Sequence, residues 1–239
     1  MKTFIILPAR LESSRLPKKL IQNIGDKALI EHMIITAKKI KDAQIVVSTD
    51  SKIIQKYAEK HSVKCIISNK KFKNGTERCQ FTAEKMNASK KDIIINLQSD
   101  EFNINPNEIR KLIRLLKLSP EVKVATLFYE TSNKNEYSSE DYVKVIVDKA
   151  HKAITFTRKP ITSIGLKYLI HLGVYAFRFE SLKHYSTLKE CHYEKEESLE
   201  QLRMIWNNVS IHCVQVNNNQ SIGINSARDL KLAREIYDS

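Results

Sequence analysis

The sequence is poor in the features that mark secreted, metal-stapled or membrane-spanning chains. Its four cysteines, Cys65, Cys79, Cys191 and Cys213, lie far apart and form no CxxC pair. That argues against a zinc knuckle or a disulfide framework and for reduced thiols in a cytoplasmic protein. No apolar run approaches the roughly 20 residues of a transmembrane helix. Phe4–Leu7 passes straight into a charged loop, so neither a signal peptide nor a membrane partner is expected. Glycine is scarce, five in 239 residues, and neither GxxxxGK[ST] nor GxGxxG occurs. A P-loop or a dinucleotide fold is thereby disfavoured. Acids are outnumbered by bases, 27 to 40, for a formal charge of +13. The lysines are dispersed and no aromatic-interleaved basic block appears. This reads as a solvated surface suited to anionic substrates, with no nucleic-acid partner.

What is present is an alternation of short β-branched runs with helical patterns. Strands are expected at Thr3–Leu7, Gln44–Ser48 and Lys64–Ile67, with helices at Leu29–Ile40, Lys52–His61 and Thr76–Met86. Asp92–Leu97 carries three consecutive isoleucines, as a central strand buried on both faces does. Pro106 opens a helix to about Leu118, and Val124–Tyr129 is a further strand. The alternation implies βαβ units and a mostly parallel sheet. After Thr131 the pattern becomes strand-rich, at Val143–Val147, Ala153–Thr157 and Leu172–Phe177, followed by helices near Phe179–Leu188 and Glu194–Trp206. Ser226-Ala227-Arg228-Asp229 has the form of a capping box opening a last helix. One α/β domain is expected, with a nucleotide-binding half over 1–130, a smaller antiparallel lobe over 131–215 and a return to the core over 216–239.

The first strand ends in Pro8-Ala9-Arg10-Leu11-Glu12-Ser13-Ser14-Arg15-Leu16-Pro17-Lys18-Lys19. Loops at the carboxyl edge of such a sheet bind ligands, and guanidinium forks match phosphate oxygens in pairs. Arg10, Arg15 and Lys19 are the expected triphosphate ligands, with Ser13 and Ser14 as hydroxyl donors. Asp100 and Glu101 follow the buried strand, where a carboxylate can hold Mg²⁺ together with substrate phosphates. Gly75 and Thr76 would admit a nucleobase close to the backbone, and Arg78 would face phosphate or an acid partner. Asn74-Gly75 reads equally well as a plain turn.

The PAR-x-x-S-S-R-L-P-x-K loop resembles that of the 3-deoxy-manno-octulosonate (Kdo) cytidylyltransferases. Five later blocks fall in that family's order: Gly75-Thr76-Glu77-Arg78, Asn96–Glu101, Val143–Asp148, His171–Tyr175 and Leu199–Arg203. The resemblance implies a Rossmann-like nucleotidyltransferase sheet flanked by helices, and a smaller lobe for substrate and dimerisation. It implies CTP as nucleotide, a sugar acid such as Kdo or its 8-amino form as acceptor, Mg²⁺ as cofactor and a homodimer. By resemblance Pro8, Ala9, Arg10, Ser13, Ser14, Arg15, Lys19, Gly75, Thr76 and Gln98 bind nucleotide. Gln98, Arg158, His171, Tyr175, Glu200 and Gln201 bind the sugar acid, Arg158 meeting its carboxylate. Asp100 is implied as a metal ligand, and Arg10, Lys19 and Asp100 carry the catalysis.

The chain departs from the family pattern at four points. Lys18 stands where glycine is usual and Leu20 where proline is usual. Gln98-Ser99-Asp100-Glu101-Phe102 replaces Gln-Gly-Asp-x-Pro, with Ser99 expected to tighten the pocket. Asn225 replaces a second metal-binding aspartate in Gly223-Ile224-Asn225-Ser226, a neutral ligand that weakens the metal site unless another acid such as Glu101 compensates. Two other readings stand beside the leading one: a nucleotidyltransferase with another acid acceptor, and a catalytically weakened nucleotide-binding homologue.

Overall fold

The computed structural model describes residues 1–13, 15–161, 168–217 and 219–238. Alternation within the strands sets its layers. In β1 (Thr3–Ala9), Ile5 and Leu7 point into one apolar cluster while Phe4 and Ile6 point into another. The first cluster is closed by α1 (Leu29–Lys38) and, further along the chain, by Ile54 and Ala58 of α2 (Lys52–Lys60). Between those two helices lies β4 (Gln44–Thr49), and a hairpin of two-residue strands, β2 (Asn23–Ile24) and β3 (Lys27–Ala28), leads into α1. After β5 (Lys64–Ile67), α3 (Gly75–Lys85) lays Cys79 and Ala83 on the second cluster. The sheet is therefore covered on both faces, which is why β6 (Ile93–Leu97) is apolar throughout except for Asn96.

The remaining elements are β7 (Glu101–Phe102), α4 (Pro106–Leu118), β8 (Val124–Thr131), α5 (Lys134–Ser138), β9 (Lys144–Val147), β10 (Ala153–Thr157) and β11 (Tyr168–Arg178). They are followed by α6 (Phe179–Tyr185), α7 (His192–Glu197), α8 (Leu202–Trp206), β12 (His212–Val216), β13 (Ile222–Gly223) and α9 (Ala227–Asp238). Caps fix several starts: Ser51 accepts the Ile53 amide, Asn74 the Glu77 amide and Asn105 the Asn107 amide. At α9 the capping box closes in both directions, Asp229 N to Ser226 Oγ at 3.2 Å and Ser226 N to Asp229 Oδ2 at 2.8 Å.

In the large sheet β1, β4, β5 and β6 run parallel, and β11 enters antiparallel against β6. β8 lies on the other side of β11, and β12 pairs parallel with β8. The first half of β11 runs past the end of β6 and meets the antiparallel pair β9–β10 there. Strands from beyond residue 131 thus share the sheet of the first half. Where one helix is expected over Glu194–Trp206, the chain breaks at Ser198, in the left-handed region at φ 53°. Arg203 grips Glu194 through two bonds of 2.8 and 2.6 Å. In a straight helix residues nine apart lie about 13 Å apart along the axis, so this ion pair requires the break. The strand β12 and the short helix α5 are not among the expected elements.

Candidate active site

The carboxyl ends of β1, β4 and β6 lie at one edge because these strands are parallel and in register. The loop after β1, the N-terminus of α3 and the segment after β6 therefore converge at one end of a cleft of about 790 Å³. A side pocket of about 200 Å³ continues from it. Arg10 and Arg15 line both cavities, while Pro8, Ser13 and Lys19 line the smaller one. Ala9 is fully buried, so its side chain faces core and not ligand. Ser14 lies outside the described residues.

Three contacts organise this end. Lys19 Nζ sits 2.6 Å from Asp100 Oδ2, holding the carboxylate at the cleft wall. Arg15 Nη2 donates to Asn225 Oδ1 at 2.9 Å. Asp50, at the end of β4, accepts the Leu11 amide at 3.2 Å and lies 3.5 Å from Arg78 Nη2. Arg78 has thus found the acid partner of the two expected roles, and its guanidinium also lies 4.7 Å from the centre of the Phe72 ring. Lys18 has φ 51°, the left-handed conformation that glycine takes without cost, so the backbone keeps the shape for which glycine is usual. Leu20 is buried in the core instead of rigidifying the loop.

Asn74 and Gly75 form a helix start and not merely a turn. A β carbon on Gly75 would lie 2.8 Å from Gln98 Nε2, so glycine makes room for the Gln98 amide, which bonds Asn96 at 3.2 Å. Thr76 is buried and lines neither cavity. Its hydroxyl donates to Glu200 at 2.8 Å and accepts from Asn96 at 3.2 Å, so the side chain is spent on contacts within the protein and a base contact at this position would fall to the backbone. Ser99 likewise turns its hydroxyl to the Pro8 carbonyl, 2.9 Å away, and so braces the β1 end.

The other end of the cleft is built on β11. His171, Tyr175, Arg158, Glu200 and Gln201 all line it. The break between α7 and α8 is what delivers Glu200 and Gln201 there. Arg158 is held by its Nε on the Glu197 carbonyl at 3.1 Å and its Nη1 on the Glu140 carbonyl at 3.0 Å. Burial, then the charge of Arg158, pushes the His171 imidazole down to about 3, and its Nε2 pairs with Thr126 Oγ1 at 2.9 Å. Burial pushes the Glu200 carboxyl up to about 7. Tyr175 is buried with a hydroxyl that has no partner among the described residues, and its phenol stays protonated. The sequence reasoning missed the lining residues Glu136, Asp141 and Tyr142, which lie in a segment without a recognisable motif.

Glu101 occupies the floor. Its Oε1 accepts the Gly173 amide at 2.9 Å and its Oε2 the Ser221 hydroxyl at 3.0 Å. Burial, then neighbouring Asp100, pushes its carboxyl up to about 7. Both carboxylate oxygens are thus engaged by groups within the protein. Asp100 and Asn225 are brought together by the β7–β13 pair and by Ile224 N bonding Asp100 O at 2.9 Å. They offer one carboxylate and one amide oxygen, a hard-cation donor set that fits Mg²⁺ bound largely by substrate phosphates. Among the described residues no group of three or more His, Cys, Asp or Glu side chains converges on a metal position.

A cytidylyltransferase family model matches residues 4–211. The 3-deoxy-manno-octulosonate cytidylyltransferase of Francisella philomiragia subsp. philomiragia is 32% identical over 98% of each chain. That of Polynucleobacter asymbioticus is 30% identical over 97% of this chain and 94% of its own. The structure of CMP:2-keto-3-deoxy-manno-octonic acid synthetase complexed with CTP superposes with a TM-score of 0.90 at 31% identity, covering 100% of this chain and 99% of that one. With a shared family model, 30–32% identity over nearly the full length and a shared fold, this chain belongs to the cytidylyltransferase family and, within it, to the 3-deoxy-manno-octulosonate cytidylyltransferases.

Proposed function

We propose that this protein joins CTP to an eight-carbon 3-deoxy ulosonic acid, Kdo or a close analogue such as its 8-amino form, giving the CMP-sugar and pyrophosphate for lipopolysaccharide or capsule synthesis. The observation that carries the reading is one cleft with two chemically distinct ends. Arg10, Arg15 and Lys19 stand at one end and Arg158, His171 and Tyr175 at the other. The anomeric hydroxyl would attack the α-phosphorus as the bond to pyrophosphate breaks and the hydroxyl proton is released. The chain's share of this is positioning and charge neutralisation. Arg10 and Arg15 take phosphate oxygens, and Lys19 balances Asp100 as well as phosphate. Arg158 meets the sugar carboxylate, while uncharged His171 and Tyr175 hydrogen-bond hydroxyls without adding charge. Asp100 and Asn225 would hold Mg²⁺, which when bound supplies positive charge to the phosphates. A homodimer and a cytoplasmic location complete the reading; the first is only what the family resemblance implies, and four free cysteines are compatible with the second.

The experiment is pyrophosphate release from CTP and Mg²⁺ over a panel of sugar acids. Kdo or its 8-amino form is expected to react fastest. Fastest turnover with a nine-carbon or a shorter acid would place the chain with another acceptor, and none with any acid would leave a nucleotide-binding homologue.

A further inference from the structure

We infer that Glu101 is a positioning residue that ties the nucleotide end of the cleft to its sugar-acid end, an inference that rests on the reading just given. Its carboxylate accepts from Gly173 of β11 and from Ser221, just ahead of β13, at 2.9 and 3.0 Å. Three segments far apart in sequence therefore meet at one buried acid.

Each partner has a consequence for the site. Gly173 lies between His171 and Tyr175, and the β11–β8 register slips between Leu172 and Tyr175. A bulge leaves a backbone donor without a ladder partner, and here Glu101 supplies the acceptor. The carboxylate thereby fixes the bend that sets the directions of His171 and Tyr175. A β carbon on Gly173 would lie 2.7 Å from Glu101 Oε1, so the absence of a side chain there lets the carboxylate reach the amide. Ser221 leads into β13, whose Ile222 and Gly223 pair with Phe102 and Glu101. Two residues on, Asn225 receives Arg15 at 2.9 Å. One side chain thus steadies the strand behind Asn225 and, through Arg15, the triphosphate loop. Losing the acceptor leaves the Gly173 amide without a partner in the fold.

A residue that served folding alone would lower the melting temperature and leave the kinetic constants of the folded enzyme unchanged. The full-length wild type, Glu101→Ala, Glu101→Gln and Ser221→Ala are compared by steady-state kinetics, CTP calorimetry and hydrogen exchange. Glu101→Ala is expected to raise the acceptor KM about tenfold and, through the looser Asn225–Arg15 contact, to weaken CTP binding by a smaller factor of about threefold. Exchange over residues 168–178 and 219–226 should accelerate. Glu101→Gln, which keeps an oxygen for Gly173, should recover most of the acceptor KM, and Ser221→Ala should accelerate exchange over 219–226 alone. A folded Glu101→Ala with unchanged acceptor KM, or unchanged exchange at both segments, overturns the inference. Should Glu101→Ala not fold, Ser221→Ala with unchanged exchange over 219–226 does the same. Absence of transfer by the wild type defeats the functional reading instead, and the exchange data still decide whether Glu101 makes the tie.

Discussion

Asn225 offers Arg15 a neutral oxygen at the point where the family's pattern has an aspartate. A carboxylate there would serve both the guanidinium and a divalent cation, so Asn225→Asp is expected to lower the Mg²⁺ concentration for half-maximal turnover. Asp100→Asn should abolish turnover, because it removes the remaining charged oxygen donor and leaves Lys19 without its acid. Magnesium titrations of CTP binding by calorimetry give a second readout; an unchanged metal dependence in Asn225→Asp would mean that residue 225 serves Arg15 alone. Arg10→Ala or Lys19→Ala should weaken CTP binding about tenfold or more, since a hydrogen bond to a charged group is worth about 1.5–3 kcal/mol. Calorimetry showing native CTP affinity in both would remove the loop from the mechanism. At this scale the sequence was informative about residue types and silent about orientation. Arg10, Arg15, Lys19 and Asp100 were legible from their place after two strands. Thr76 and Glu101 were not, because their partners, Glu200, Gly173 and Ser221, are more than 70 positions away.

At the scale of elements, α3 carries much of the site through its first turn. Gly75 must stay small so that Gln98 can lie across it. Gly75→Ala is expected to push Gln98 into the cleft and raise the KM for CTP several-fold, with little loss of thermal stability because a flexible side chain can yield. A large drop in melting temperature with unchanged KM would show that the glycine serves the fold instead. Most strands and helices were legible from periodicity, since β1 and β6 are apolar on both faces and α4 opens on proline. The break between α7 and α8 was not, because Leu199 and Leu202 continue a helical spacing while the interruption is imposed by Arg203 reaching back to Glu194. The place of β11 between β6 and β8 is likewise a matter of distant pairing that alternation alone does not encode.

For the whole molecule, buried titratable groups predict how stability follows pH. His171 is pushed down to about 3 when folded, so between there and its ordinary value near 6.5 the unfolded chain binds a proton that the folded chain does not. Stability from this group is full above pH 6.5 and is lost as pH falls toward 3. Thermal melts of wild type and His171→Gln should therefore diverge in acid, the wild type losing stability relative to the variant; a constant difference would mean that the imidazole protonates in place. Glu200, pushed up to about 7, acts in the opposite sense, favouring the fold below pH 4.5 and losing that contribution as pH rises through 7. The central claim, that one cleft brings CTP and a sugar acid together, is tested most directly by phosphorus NMR of the purified protein with CTP, Kdo and Mg²⁺. Growth of a CMP-sugar phosphodiester signal with an equal amount of pyrophosphate is the predicted result. Unchanged CTP, or conversion to CMP and pyrophosphate with no sugar phosphodiester, would contradict it.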